Sequence, residues 1–74
     1  MKENLRVFLA KTLEVDVECL SDDMDFIDDL QVSSLMAMEV MAALEKQYNI
    51  KLQERDMIEM RNVERIHALL KDKL

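Results

Sequence analysis

The sequence predicts an all-α protein: a small four-helix bundle of three longer helices and one short one, with a long loop between the first two. Glycine and proline are both absent from the 74 residues, and the abundance of Met, Leu, Ala, Glu and Lys favours helix over strand. Apolar residues recur at three- and four-residue spacing in three stretches, as on the buried face of an amphipathic helix. A chain of this length builds one hydrophobic core, so we expect a single domain over 1–74.

The first helix is predicted from about Lys2 to Glu14, with its buried face set by Leu5, Phe8, Leu9, Thr12 and Leu13. From Val15 to Gln31 no helical period persists, and a connection of this length is uncommon unless it packs or carries function. Ser21, which two aspartates follow, is suited to start a short helical turn there. We expect the apolar side chains of the loop to anchor it across the bundle: Val15, Val17, Leu20, Met24, Phe26, Ile27 and Leu30.

The second helix is the clearest element and has apolar residues on more than one face. Its buried stripe is predicted to follow two rows in turn, first Leu35, Met38 and Ala42, then Met41, Leu44 and Tyr48. The row changes because Glu45 stands where the first row would continue. Such a helix is either buried on several sides or exposes an apolar patch to a partner. Asn49 is expected to end it as a left-handed C-cap.

The C-terminal third is predicted to hold a short helix and a longer one. The short helix lies within Glu54–Met60, where Met57, Ile58 and Met60 are apolar. Asn62 is a suitable N-cap for the last helix. Its buried face is predicted to consist of Val63, Ile66, Leu69 and Leu70.

Charge and hydropathy narrow the class of protein. The formal net charge of −6 argues against nucleic acids and anionic membranes, which bind basic surfaces, and favours partners with Lys and Arg patches. Cys19 is the only cysteine, so no internal disulfide can form and a reducing compartment fits. The longest apolar run, Val40–Leu44, is far too short to span a bilayer, and the N-terminus does not look like a signal peptide. We therefore expect a cytoplasmic monomer.

The stretch from Asp28 to Leu35 is distinctive, because an acidic loop passes directly into a long helix at two adjacent serines. A serine at a helix N-terminus usually caps the helix, since its oxygen accepts a hydrogen bond from an unpaired backbone N–H. Two hydroxyls in a row allow one to cap while the other is available for chemistry. Taken alone, the residues favour the simpler interpretation, in which Ser33 and Ser34 are both caps.

The segment Phe26–Leu35 resembles the motif of the acyl carrier protein family, Asp-Leu-Gly-x-Asp-Ser-Leu preceded by a phenylalanine. The resemblance covers nearly the whole chain, and its matching positions are Phe26, Asp29, Leu30, Ser34, Leu35, Glu39, Leu44, Glu45, Tyr48, Asn62 and Val63. It implies a carrier that catalyses no reaction and holds acyl groups as thioesters on a 4′-phosphopantetheine arm. The arm comes from coenzyme A and is attached to Ser34, while Ser33 acts as the cap.

The resemblance also implies partners. These are a phosphopantetheinyl transferase and acyl-loading and acyl-processing enzymes with basic docking patches. The positions expected to contact them are Asp29, Leu35, Met36, Glu39 and Glu45. The cargo and the pathway stay open: fatty-acid synthesis, a specialised lipid or secondary-metabolite pathway, or a peptidyl or D-alanyl carrier. A carrier-like interaction domain that is never modified is the alternative from a different functional class.

Four residues depart from the family pattern. Gln31 replaces the usual Gly, Ser33 the usual Asp, Met36 a frequent acidic residue and Gln53 a frequent Pro. Gln31 is expected to restrict any positive-φ backbone, which only glycine adopts freely. Together these departures favour a specialised pathway over general fatty-acid synthesis.

The remaining residues with chemical potential have simpler interpretations. Met38 and Met41 are expected in the core, and Met36 on the surface; alternatively, the methionines line an adaptable acyl pocket or partner surface. The acidic segment 22–29 lacks the glycine and the final glutamate of a calcium-binding EF-hand, so we expect no metal site. Cys19 and His67 lack a third orienting group, so we assign them no catalytic role.

Overall fold

The computed structural model describes residues 2–74, and the regular secondary structure in that range is helical, with no strand. Its three α-helices are α1, Lys2–Leu13, α2, Ser34–Tyr48, and α3, Val63–Lys73. Two 3-10 helices, Val17–Cys19 and Glu54–Glu59, lie in the connections. The second of them is the predicted short helix, so the expected all-α bundle with a long first loop is confirmed. None of the helices within residues 2–74 is long and apolar enough to cross a membrane.

The hydrophobic core lies where α1 packs against both α2 and α3. The side chains that are almost completely buried come from all three helices and from both connections: Leu5, Leu9, Phe26, Val40, Leu44, Met60, Val63, Ile66 and Leu70. Phe26 is the largest of these, so the long loop contributes to the core as directly as the helices do. Burial of each such side chain stabilises the fold by about 1.5–3 kcal/mol.

Backbone hydrogen bonds attach the long loop to the α3 side of the bundle. The N–H of Phe26 donates to the carbonyl of Arg61 at 2.6 Å, and the N–H of Glu64 donates to the carbonyl of Asp22 at 3.1 Å. Ser21 starts a turn there, since its carbonyl accepts from the N–H of Met24 at 3.3 Å. The loop is therefore attached to the bundle in two ways, by the burial of its apolar side chains and by hydrogen bonds to the backbone at the start of α3.

Two of the seven predicted loop anchors are wrong. Leu20 and Phe26 are buried as expected, but Val17 and Ile27 are exposed. Val17 belongs to a one-turn helix with no buried residue, and Ile27 lies in the turn that leads towards α2. Apolar side chains in such short turns cannot all reach the core, and Val32, which was not predicted, is buried instead.

The first row of the predicted stripe on α2 is also wrong. The helix faces the core through Ala37, Val40 and Leu44, whereas Leu35 is 67% and Met38 is 55% exposed. The expectation that Met38 is a core residue fails with it. The predicted row and the observed one have the same three- and four-residue spacing. Periodicity alone therefore cannot tell which of the two faces the bundle.

The second row and the helix ends were predicted correctly. Met41 and Tyr48 are partly buried against the core beside Leu44. Asn49 has φ 54° and ψ 50°, the left-handed C-cap expected after α2. The side chain of Asn62 accepts a hydrogen bond from the N–H of Arg65 at 2.7 Å and so caps α3.

Candidate functional site

The two serines at the start of α2 have different roles. Ser33 is the N-cap, and its Oγ accepts a hydrogen bond from the N–H of Met36 at 3.2 Å. Ser34 is the first residue of the helix and is exposed. Its hydroxyl makes no hydrogen bond to any other residue in the range 2–74. Capping by Ser33 is therefore confirmed, and the hydroxyl of Ser34 is the one that is free to react.

The start of α2 suits a phosphodiester at Ser34. The positive end of the helix dipole lies there, and free backbone N–H groups at a helix start bind anions. Ser33 already accepts from Met36 through its side chain and from Ala37 through its carbonyl, at 2.9 Å. Within the described chain, the N–H groups of Ser34 and Leu35 have no such acceptor, and the first turn of α2 contains no acidic residue. A phosphate on Ser34 would therefore meet unpaired donors and no carboxylate from that turn.

Gln31 adopts the backbone conformation that the sequence argued against. Its φ is 56°, in the left-handed region, although a residue with a Cβ pays about 1–2 kcal/mol there. The next residue, Val32, is buried and donates its N–H to the carbonyl of Phe26 at 2.9 Å. Burial of Val32 and this hydrogen bond fix the chain on the C-terminal side of Gln31. The expectation that Gln31 restricts positive φ is therefore wrong, because tertiary contacts outweigh the local preference.

Asp25 organises the loop ahead of the serines. Its Oδ1 accepts from the N–H groups of Ile27 and Asp28 at 2.8 and 2.9 Å, and its Oδ2 accepts from Nη2 of Arg61 at 2.6 Å. The backbone hydrogen bond from Asp28 and the Arg61 guanidinium hold the pKa of Asp25 below its ordinary value. Asp29 is exposed, yet its Oδ2 accepts from the N–H of Asp25 at 2.9 Å. Asp29 thus shapes the loop in addition to being accessible to a partner.

A groove of about 560 Å³ opens between α2 and the second 3-10 helix. It is lined by Met38, Met41, Ala42, Glu45, Glu54 and Met57. Positions 34, 38, 41 and 45 recur at intervals of four, three and four, so they lie along one face of α2. Glu45 is about 16 Å further along that face than Ser34 at 1.5 Å per residue. Ser34 therefore stands on the same side of α2 as the groove.

The groove tests the two interpretations of the methionines. Met38 and Met41 line it, which supports the alternative that they form an adaptable pocket. Met57 was not predicted as a site residue, because nothing in the sequence shows that the second 3-10 helix faces α2. Met36 is partly buried and packs against the core, so only part of this side chain lies at the surface, where it was expected.

The predicted partner-contact residues are not equally accessible. Leu35 and Glu39 are exposed four residues apart, which places them on the outer face of α2. Glu45 is only partly exposed, and its Oε2 accepts from the N–H of Leu52 at 2.9 Å. This bond fastens the connection after α2 to the helix. Ile58, which is 65% exposed, is an accessible apolar residue that sequence reasoning did not single out.

No metal-binding cluster occurs in the described residues: no three His, Cys, Asp or Glu side chains within 2–74 are arranged to hold an ion. Cys19 is exposed on the first 3-10 helix, and His67 is half-buried on α3. No hydrogen bond links them across the described chain. They do not form a catalytic pair in this structure.

Comparison with known proteins completes the description of the site. The family model for a phosphopantetheine attachment site matches residues 3–70. The chain is 41% identical to the polyketide-8 synthase acyl carrier protein 2 of Streptomyces avermitilis over 73 residues, 99% of this chain and 84% of that protein. It is 28% identical to the acyl carrier protein of Petrotoga mobilis over 97% of this chain and 85% of the relative. It is 32% identical to that of Brachyspira hyodysenteriae over 82% and 80%, respectively.

The match spans the fold as well as the serine-bearing start of α2, since residues 3–70 include all of α2 and the long loop before it. The arrangement also fits the prosthetic group: of the two exposed serines only Ser34 has a hydroxyl without a hydrogen bond in the described chain, two backbone N–H groups are uncapped, and the first turn has no acidic side chain. The chain therefore belongs to the acyl carrier protein family, whose members hold 4′-phosphopantetheine covalently and are carriers rather than enzymes.

Proposed function

We propose that this protein carries acyl groups through a 4′-phosphopantetheine arm attached to Ser34. The observation that supports this assignment is that the two serines at the start of α2 have different hydrogen bonding. Ser33 is engaged in capping, while the neighbouring hydroxyl is exposed and unpaired. The arm supplies a terminal thiol that holds the cargo as a thioester. In this proposal the chain positions the arm and its cargo, and partner enzymes perform each bond-making step.

Attachment is a phosphoryl transfer to Oγ of Ser34. A new bond forms between Oγ and the phosphorus of coenzyme A that bears the pantetheine. The bond from that phosphorus to the adenosine bisphosphate portion breaks, and this portion leaves. The proton of the Ser34 hydroxyl passes to a base on the transferase. The N-terminus of α2 contributes a positive electrostatic potential beside the phosphate both during and after the transfer.

The pathway is proposed from the relatives. The similarity to a carrier whose name places it in a polyketide synthase, at 41% identity, exceeds that to the acyl carrier proteins at 28% and 32%. We assign the chain to a specialised, secondary-metabolite pathway in the cytoplasm, where it acts as a single domain over 1–74. Fatty-acid synthesis and a peptidyl or D-alanyl cargo are the alternatives. The mass of the thioester-bound group on protein from its native cells distinguishes them.

Partner enzymes are proposed to bind the outer face of α2 and the loop before it. Leu35 and Glu39 are exposed on that face, and Asp29 is exposed on the loop. Met36 and Glu45 are expected to contribute at the edge of the contact, since both are partly buried. A net charge of −6 favours partners that present Lys and Arg around an apolar centre.

The attachment site can be tested by intact-mass analysis. Incubation with a phosphopantetheinyl transferase and coenzyme A is expected to add one phosphopantetheine to the wild type and to Ser33→Ala. The Ser34→Ala variant should gain no mass, because it lacks the acceptor oxygen. Circular dichroism checks that each variant is folded. A mass gain by Ser34→Ala would show that another residue is modified, and a folded wild type that is never modified would favour the interaction-domain alternative.

A further inference from the structure

The groove beside α2 has two chemically different parts. Met38, Met41, Ala42 and Met57 form an apolar wall, and Glu45 and Glu54 place two carboxylates on the same groove. The apolar part begins one helical turn beyond Ser34, and Glu45 lies two further turns along the row. A chain that enters from the Ser34 end thus passes methionine side chains before it reaches Glu45.

Neither carboxylate has a cationic partner among the residues that the structure describes. Within residues 2–74, Glu45 and Glu54 form no ion pair, and the only side-chain hydrogen bond of Glu45 uses Oε2, which accepts from the N–H of Leu52. Oε1 of Glu45 and the exposed carboxylate of Glu54 are therefore free to accept hydrogen bonds. Water provides those bonds as long as the groove is open.

Cargo that covers the carboxylates removes that water. A plain alkyl chain offers no donor in exchange, and an acceptor left unsatisfied costs about 1–3 kcal/mol. A hydroxyl or an ammonium group replaces the lost hydrogen bond, and a positive charge also gains from two nearby negative ones. The methionine wall accommodates the methylene groups of all such chains equally, because its side chains are flexible.

We infer that this groove selects acyl cargo that ends in a hydrogen-bond donor, a hydroxyl or an ammonium group, over an alkyl chain of the same length. Glu45 and Glu54 are the residues that determine this specificity. The inference rests on the proposed function, because attachment at Ser34 is what delivers the cargo to this side of α2.

The experiment loads the protein with three acyl-pantetheine arms from the corresponding acyl-coenzyme A compounds: hexanoyl, ω-hydroxyhexanoyl and ω-aminohexanoyl. Intact mass first verifies loading. The methyl NMR signals of Met38, Met41 and Met57 then report occupancy of the groove, and the rate of thioester hydrolysis reports protection of the cargo. Free acyl-pantetheine of each kind provides the unprotected rate. Protection of each chain is the rate of thioester loss from the free acyl-pantetheine divided by the rate on the protein. We expect protection of the hydroxyl chain to be about fivefold higher than that of hexanoyl, the ratio given by one net hydrogen bond of about 1 kcal/mol. Protection of the ammonium chain should be higher still, because its charge adds to the hydrogen bond.

Variants assign the effect to the two glutamates. The double variant Glu45→Gln and Glu54→Gln keeps a side-chain oxygen to accept from Leu52 but removes both charges. The ammonium chain should therefore lose its advantage over the hydroxyl chain. Asp72→Asn is the matched control, because Asp72 is exposed on α3 away from the groove. It removes a negative charge and should leave all three rates unchanged.

Two results would overturn the inference. One is equal or better protection of the hexanoyl chain, and the other is an ammonium chain that stays better protected than the hydroxyl chain after the double substitution. A protection difference without shifts of the three methionine signals would place the cargo elsewhere and also reject it. Failure of loading is a separate outcome that counts against attachment at Ser34. In that case titration of the unmodified protein with the free acyl-pantetheines still tests the groove, because the same methyl signals must respond more strongly to the donor-bearing chains.

Discussion

At the level of single residues, the site depends on three neighbours with different tasks. Gln31 turns the backbone through the left-handed region, Ser33 caps α2, and Ser34 presents an unpaired hydroxyl. Ser33 stands where the family usually has an aspartate, and its hydroxyl accepts the hydrogen bond from the N–H of Met36 that such a cap requires. The departure therefore preserves the helix start while removing a negative charge beside the attachment point.

Substitution of the cap should lower stability without affecting attachment. Ser33→Ala removes the acceptor for the N–H of Met36, so we expect the free energy of unfolding to fall by about 1 kcal/mol. Urea denaturation measures the change. Ser34→Ala is the control and should stay within about 0.5 kcal/mol of the wild type, because its side chain caps nothing. Equal losses in the two variants would contradict the assignment of the cap to Ser33.

The left-handed backbone at Gln31 predicts a stabilising substitution. Gln31→Gly removes the Cβ clash, which should stabilise the folded chain by about 1–2 kcal/mol. Part of this gain is lost, because glycine also increases the conformational entropy of the unfolded chain. We expect a net gain of roughly 0.5–1 kcal/mol, measured by urea denaturation. Gln31→Ala is the matched control, since it removes the same side chain but keeps the Cβ. If alanine stabilised as much as glycine, backbone strain would not be the cause.

At the level of elements, ion pairs fasten the long loop to the helices. Asp22 pairs with both Arg6 and Lys2 of α1, and Asp25 pairs with Arg61 just before α3. The hydrogen bond from Arg6 holds the pKa of Asp22 below its ordinary value of 3.8. The backbone N–H of Asp28 and then Arg61 do the same for the pKa of Asp25. These pairs are partly exposed, so their contribution is reduced by solvent screening.

The direction of these pKa shifts predicts how stability depends on pH. Because both carboxyls bind protons less readily when folded, their contribution is fully present above pH 3.8 and is lost as the pH falls through their lower folded pKa values. We expect the melting temperature to decline as the solution is acidified below about pH 4. Asp22→Asn should lower the melting temperature at neutral pH and make the decline shallower. Asp72→Asn should do neither, since Asp72 is exposed and forms no ion pair within residues 2–74; a shallower decline in that control would point to net charge instead.

Truncation of a side chain should cost much more stability on the buried face of α2 than on the exposed face. Leu44→Ala removes a completely buried side chain and should destabilise the protein by about 2–5 kcal/mol. Leu35→Ala makes the same chemical change on the exposed face and should cost less than about 0.5 kcal/mol. Thermal or urea denaturation measures both. A large loss at Leu35 would place the first predicted row in the core after all.

At the level of the whole molecule, the chain combines a negative net charge with exposed apolar side chains. The net charge is −6, and the exposed apolar residues Leu35, Met38 and Ile58 lie on α2 and on the second 3-10 helix. Attraction between opposite charges accelerates the encounter of two proteins, and salt screens it. The apolar contact, in contrast, is little affected by moderate salt.

Association with a basic partner should therefore depend on salt mainly through its rate. We expect the association rate with a phosphopantetheinyl transferase to fall severalfold when salt is raised from low to physiological concentration, as measured by stopped-flow or surface binding. Leu35→Ala should increase the dissociation rate and leave this salt dependence unchanged. A salt-independent association rate would show that charge does not steer the encounter.

The helices and their caps were predictable from the sequence by itself. Periodicity and the absence of glycine and proline determined where α1, α2 and α3 lie. Asn49 and Asn62 were assigned correctly as caps, because capping is a contact between a residue and a backbone group a few positions away. The residues alone favoured both serines as caps, and it was the family resemblance that assigned the cap to Ser33 and left Ser34 free. The family motif that includes Ser34 is local as well. Each of these features is decided within a few residues along the chain.

Which surfaces meet was decided only by the tertiary structure. Apolar spacing placed Leu35 and Met38 in the buried stripe of α2, but packing against α1 buried Ala37 and Val40 beside the correctly predicted Leu44. Tertiary contacts also hold Gln31 in the left-handed region. They place Glu54 and Met57 beside α2, where both line the groove. The free energy of such contacts depends on residues far apart in sequence, which local patterns do not encode.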